Sequence, residues 1–182
     1  MTKKVFIKTV LFALLVSTYS ACNGQTVKPI AKDAVALHFG DTVATVLASP
    51  SKVRAYILTM EKPTQKSRTV GGFTIKKNLG NVSATAYSIL QFLLQDAANY
   101  APDSVGVHKC YFEPYLAFEF AKGREKVCVL LAFNCECWGV VYNDKRIEAP
   151  YLCHRQLLRF AHGLLPDDRY INKLLTFMED EK

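Results

Sequence analysis

The chain has 182 residues, half of them apolar and 21% charged, with a formal net charge of +7. Lys3, Lys4 and Lys8 lie in the first 21 residues with no acid among them, so the remainder carries 20 basic against 16 acidic side chains, or +4. That ordinary balance, with no basic stripe, argues against nucleic acid as a partner.

The N-terminus has the three parts of an export signal. A lysine-bearing start is followed by the apolar run Val10–Val16 (VLFALLV), and small residues then lead to Ser20-Ala21-Cys22. The run is far shorter than the ~18–20 residues that span a bilayer, and no later segment is long and apolar enough to do so. Small residues before Cys22 resemble the lipobox of bacterial lipoproteins, although Tyr19 stands where an aliphatic residue is usual. The resemblance implies an acylated Cys22 as the mature N-terminus and a membrane contact through that lipid. Residues 1–21 are then the leader, 22–32 a tether and 33–182 one domain. No acidic run follows Cys22, which favours an outer-membrane position facing the periplasm; ordinary secretion is the alternative.

Asp41 is placed to cap a short helix over Thr42–Ala48, which Pro50 stops. Val53–Met60 alternates loosely and predicts a strand. The basic loop Lys62–Arg68 follows as a solvated hairpin tip, then a second strand over Thr69–Lys76, weakened by Gly71-Gly72. The clearest helix is Ser83–Asn99, with Ala86, Leu90, Leu93 and Ala97 on its apolar face and Ser88, Gln91, Gln95 and Asn99 opposite. Pro102-Asp103 marks the next loop. A hairpin is predicted from Tyr115–Phe120, a turn at Lys122-Gly123-Arg124, and Val127–Cys135, an apolar strand covered on both faces. Val140–Tyr142 extends the sheet before Asn143-Asp144 turns away.

Two helices close the chain. Leu157, Leu158 and Ala161 face inward in the first, which Gly163 is placed to end. Pro166, Asp167 and Asp168 open the second, whose stripe is Ile171, Leu174, Leu175 and Met178. The whole predicts an α+β domain, a mainly antiparallel sheet with packed helices, two of them at the C-terminus.

Besides Cys22 there are Cys110, Cys128, Cys135, Cys137 and Cys153. In an oxidising envelope, disulfides are the first reading, and an odd number leaves one thiol over. If Gly123 and Arg124 form the hairpin tip, Phe120 faces Val127, Phe118 faces Val129 and Cys110 faces Cys137. A loop altered by two residues puts Cys110 opposite Cys135 instead. Opposed residues lie within the ~4.4–6.8 Å Cα window of a disulfide, so a bridge from Cys110 to Cys137 or Cys135 is expected. Pro114 is the weak point of that register. Cys128, facing away from Cys135 if alternation holds, is expected to stay an inert buried thiol.

Two alternatives use the same residues. Cys110, Cys135 and Cys137 with a histidine, from His108-x-Cys110 or Cys153-His154, could form a zinc module. Cys135-Glu136-Cys137 could instead be a redox pair, although Glu136 and the apolar strand disfavour thiolate. Glycine-rich phosphate loops, nucleophile elbows and His-Glu-x-x-His are all missing from the sequence, so the reading leans away from an enzyme and no cofactor is expected. His38 reads as a packed or turn histidine, and Glu113, Glu119 and Glu136 as a solvated sheet face. Asn81-Val82-Ser83 matches a glycosylation sequon, which carries little weight if the host is a bacterium with a lipobox.

Cys110, Pro114, Gly123, Phe133 and Cys135 sit in a pattern of Cys, aromatic, Pro, strand, glycine turn, apolar strand and Phe-x-Cys. This stretch, Lys109–Tyr142, resembles a group of uncharacterised small bacterial exported proteins. It departs from the group at Tyr115 and Leu116, and at Ala132. The resemblance covers residues from about 50 onward and implies fold and secretion. Export, one small domain and the missing catalytic set give the functional expectation: an envelope lipoprotein of unknown biochemical role, read as a binding or interaction protein, with an inhibitor or immunity-type factor as one form of it.

Overall fold

The computed structural model describes residues 34–102 and 110–180, all within the compact unit Ala31–Lys182. The leader, Cys22, the tether, Asp103 and His108 lie outside the described residues. Helices α1 (Ala34–Phe39) and α2 (Asp41–Ala48) come first. Strands β1 (Lys52–Thr59), β2 (Thr69–Val70) and β3 (Phe73–Asn81) lead to α3 (Ala84–Gln95). Strands β4 (Leu116–Lys122), β5 (Glu125–Ala132), β6 (Cys137–Tyr142) and β7 (Lys145–Pro150) follow, then α4 (His154–Leu164) and α5 (Arg169–Asp180). The α+β architecture is as expected: one seven-stranded sheet in the order β2-β3-β1-β4-β5-β6-β7, every neighbouring pair antiparallel.

Side-chain alternation divides the interior into two cores. Val53, Ala55 and Ile57 of β1, Leu116, Phe118 and Phe120 of β4, Val127, Val129 and Leu131 of β5, and Trp138 and Val140 of β6 form one sheet face. They pack with buried residues of all five helices. Tyr56, Leu58, Ala117, Cys128, Leu130, Ala132 and Cys137 point to the other face and form a smaller core with Val70 and Phe112. Val127–Ala132 is buried throughout, which explains why β5 reads as a continuous apolar run.

The second core exists because the sheet curls. Register shifts interrupt the β1–β3 ladder between Ala55 and Tyr56 and between Ile57 and Leu58, and such bulges increase local twist. The β2–β3 hairpin comes over the face so closely that a Cβ on Gly71 would meet Cys128 Sγ and Leu130 Cδ2 at 3.1 Å each. The Arg146 guanidinium on β7, one edge of the sheet, lies over Phe73 of β3, the strand next to the other edge, at 5.6 Å.

Several local expectations need correction. Gly71-Gly72 does not weaken a continuous strand. Both glycines have positive φ and form the two-residue turn pairing Val70 with Phe73, so Lys62–Arg68 is a loop into β2 rather than a β1–β2 hairpin tip. Helix α3 stops at Gln95 because Asp96 turns extended and its carboxylate accepts from Ala98 N at 2.9 Å. Ala97 is consequently exposed rather than on the buried face. Gly163 lies inside the last turn of α4, and Leu165 N closes that helix on Ala161 O and His162 O.

Other signals hold. Ser83 caps α3 through Ala86 N at 3.2 Å, which gives the sequon serine a structural use. Asp168 accepts from Tyr170 N and Ile171 N at 3.0 and 3.1 Å, capping α5. Helix α1 and strand β7 are additions to the elements read from sequence. Asn143 and Asp144, at φ 50° and 59°, make a tight hairpin into β7 instead of a departure from the sheet.

Candidate functional site

The counted hairpin is correct along β4 and β5: Phe120 faces Val127, Phe118 faces Val129, and Lys122 faces Glu125. It ends sooner than expected. The last ladder bond is Tyr115 N to Leu131 O at 2.8 Å, and the segment from Cys110 to Pro114 is irregular, with Pro114 buried just before it. Proline offers no N–H to extend the ladder. On the other side β5 ends at Ala132, and Phe133–Glu136 forms a turn in which Glu136 has φ 52°. Cys137 opens β6 and faces Ala132 and Pro150, so it cannot face Cys110 in a ladder.

The turn nonetheless brings the three cysteines together. The Asn134 side-chain amide donates to Tyr111 O at 2.7 Å, tying the strap Cys110–Tyr115 to the turn. The Cys110 and Cys137 thiols are both neighbours that act on the Cys135 thiol. The Cys137 thiol donates to Cys135 O at 3.2 Å. The turn also resets side-chain alternation, so Cys135 packs against the same small core that holds Cys128, not on the opposite face. All five described cysteines are thiols in this structure, Cys128, Cys137 and Cys153 buried and Cys110 exposed.

Phe112 fixes the strap. It is buried in the second core over Gly139, where a Cβ would approach Phe112 Cζ to 2.5 Å. Arg146 lies over the Phe112 ring at 5.0 Å, its Nε held by Glu148 at 2.8 Å. Beside the ring, Met60, Phe73, Cys110, Tyr111, Arg146 and Glu148 line an open cavity of about 310 Å³. Sequence reading missed Phe112, Gly139 and Arg146. A lone glycine inside the apolar strand β6 was the signal for a close approach.

The electrostatics disfavour thiolate chemistry. Burial, then the Cys110 thiol, push the Cys135 thiol well above its ordinary value. Burial also raises Cys137 and Cys128, and pushes Cys153 up to about 12. A redox nucleophile needs the opposite shift. Among the described residues no three His, Cys, Asp or Glu side chains are arranged to hold a metal ion. His154, the described histidine of the zinc reading, faces Glu136 Oε1 at 3.7 Å and stacks on Tyr151. His38 stacks on Tyr100 at 4.3 Å, and His162 Nδ1 meets Asn172 Oδ1 at 2.9 Å, joining α4 to α5. Glu119 pairs with Lys126 at 3.8 Å, while Glu113 is exposed.

A second feature lies on the helical layer. Helix α3 contains no charged residue, yet Ile89 and Phe92 on its outer side are 46% and 68% exposed. Leu37 of α1 and Leu152, whose N–H donates to Asn99 O at 2.8 Å just beyond α3, are also exposed. No family, curated protein or solved structure matches this chain, so the functional reading rests on its own residues.

Proposed function

We propose that this chain is a lipid-anchored envelope protein that acts by binding a protein partner through the outer side of α3. The observation that carries the binding role is Phe92, 68% exposed on a helix without charges, with Ile89 one turn before it. Outward positions of a solvated helix are ordinarily charged or polar, and contiguous exposed apolar groups mark interaction sites. An aromatic anchor beside small neutral side chains suits a partner surface that is itself apolar. The anchor rests on the leader and Cys22. Among the described residues no helix is long and apolar enough to cross a membrane, so the attachment proposed is the lipid. An inhibitor or immunity-type factor is the kind of binder proposed.

The test is a photo-crosslinking amino acid at position 92 in the full chain expressed in its own envelope, with position 66 in the exposed basic loop as control. The expected result is a discrete protein adduct from position 92 alone, in protein that fractionates with membranes. Cys22→Ser should release the protein from the membrane fraction. An adduct of twice the chain's mass would make the partner a second copy, and no adduct at 92 would remove the binding role. Membrane association that survives Cys22→Ser would remove the lipid anchor.

A further inference from the structure

We propose that Cys110 and Cys135, rather than Cys110 and Cys137, form a disulfide that fastens the Phe112 strap over the second core. Proximity no longer depends on a hairpin ladder. It comes from the Asn134 amide on Tyr111 O, which binds the neighbour of one cysteine to the neighbour of the other and leaves the Cys110 thiol in the surroundings of Cys135. Selectivity comes from Cys137. Its thiol is directed to Cys135 O, and its backbone is fixed in the ladder between Ala132 and Pro150 with the side chain buried. Cys110 is exposed and Cys135 partly so, which leaves these two open to an oxidant.

The chemistry is thiol–disulfide exchange with a disulfide-bearing oxidoreductase. Cys110 attacks the oxidant's disulfide to give a mixed disulfide and one partner thiol. Cys135, deprotonated by solvent base, then attacks the Cys110 sulfur and expels the second partner thiol. Two protein thiols lose two electrons and two protons, and one partner disulfide becomes a dithiol. Surroundings that raise the thiol pKa make Cys135 a poor leaving group in the reverse step, so the bond is structural rather than catalytic. Its mechanical role follows from what the strap carries: Phe112 fills the concave face between Gly139, Phe73 and Arg146.

This inference rests on the export reading for its oxidant, and the experiment separates the two. Full-length protein from the native envelope is denatured, alkylated without reduction and mapped by peptide mass spectrometry; a second sample is first reduced, then oxidised in folded form with oxidised glutathione. A Cys110–Cys135 linked peptide in both samples is expected, with Cys128 and Cys153 alkylated. Cys137→Ala should retain the bond, and Cys135→Ala should restore alkylation of Cys110. Reduced native protein that still pairs in glutathione counts against export and upholds the pairing. A Cys110–Cys137 bridge, or alkylated Cys110 after glutathione, overturns it.

Discussion

Gly139 and Phe112 show how far one atom can set a local structure. A Cβ at position 139 would lie 2.5 Å from Phe112 Cζ, a distance no van der Waals contact allows. Gly139→Ala should therefore destabilise the protein by about 1–3 kcal/mol, the range for overpacking a core. Phe112→Leu alone should also destabilise, since it empties part of the second core. Combined with Gly139→Ala it should recover part of the loss, because the colliding ring atom is gone. A denaturant-unfolding double-mutant cycle checks this, and strict additivity would show that the two positions do not touch.

His154 carries the pH dependence at this scale. Burial holds its imidazole below the ordinary value, and the Glu136 carboxylate only partly offsets that. The unfolded chain takes up its proton near about pH 6.5, while the folded protein resists doing so until lower pH. Above that region both states are neutral and the site is silent; as pH falls through it, stability is lost. Moving from about pH 7.5 to about 5.5 should cost the wild type more stability than His154→Gln. Equal losses would mean that the imidazole titrates as if in water.

At the scale of elements, α3 illustrates which signals are local. Ala86, Leu90, Leu93 and Leu94 are buried at helical spacing, and the Ser83 cap is a short-range contact, so the helix and its inward side were readable. Gln91 was read as a solvated position, yet its amide donates to Ala48 O at 3.2 Å, a partner 43 residues away on α2 that no periodicity reveals. The useful comparison is Leu90 with the exposed Thr85. Leu90→Ala should cost about 2–5 kcal/mol and Thr85→Ala less than about 0.5, measured by chemical denaturation. Similar costs would place the sheet-facing side of the helix elsewhere. The hairpins follow the same logic. Lys122-Gly123-Arg124 fixed the β4–β5 register by counting. The Asn143-Asp144 turn was recognised but sent the chain away, because Lys145–Glu148 is exposed and charged and looks like loop.

For the whole molecule, the curl decides what is near what. An open, gently twisted sheet would leave the second face solvated; bulges in the β1–β3 ladder and the folded-over β2–β3 hairpin enclose it instead. That enclosure creates a place for Phe112, brings Arg146 to Phe73, and gathers Cys110, Cys135 and Cys137 at one end of the sheet. The helical layer covers the opposite face and leaves Ile89 and Phe92 turned outward. The thiol cluster and the proposed partner surface are therefore separate features.

The sequence by itself determined the α+β class, the central apolar strand, the two C-terminal helices and the hairpin register. These depend on hydrophobic period, caps and turn residues, all properties of neighbours along the chain. Extending the hairpin put Cys110 opposite Cys137, or Cys135 with an altered loop, but Pro114 and the Phe133–Glu136 turn both break the ladder on which that count depends. Only the tertiary structure decided the curl, the insertion of Phe112 over Gly139 and the burial that raises the Cys128, Cys135, Cys137 and Cys153 thiols. Each is a contact between segments far apart in sequence. Such contacts form when total packing outweighs local preference, and a one-dimensional pattern carries no record of which distant partner completes them.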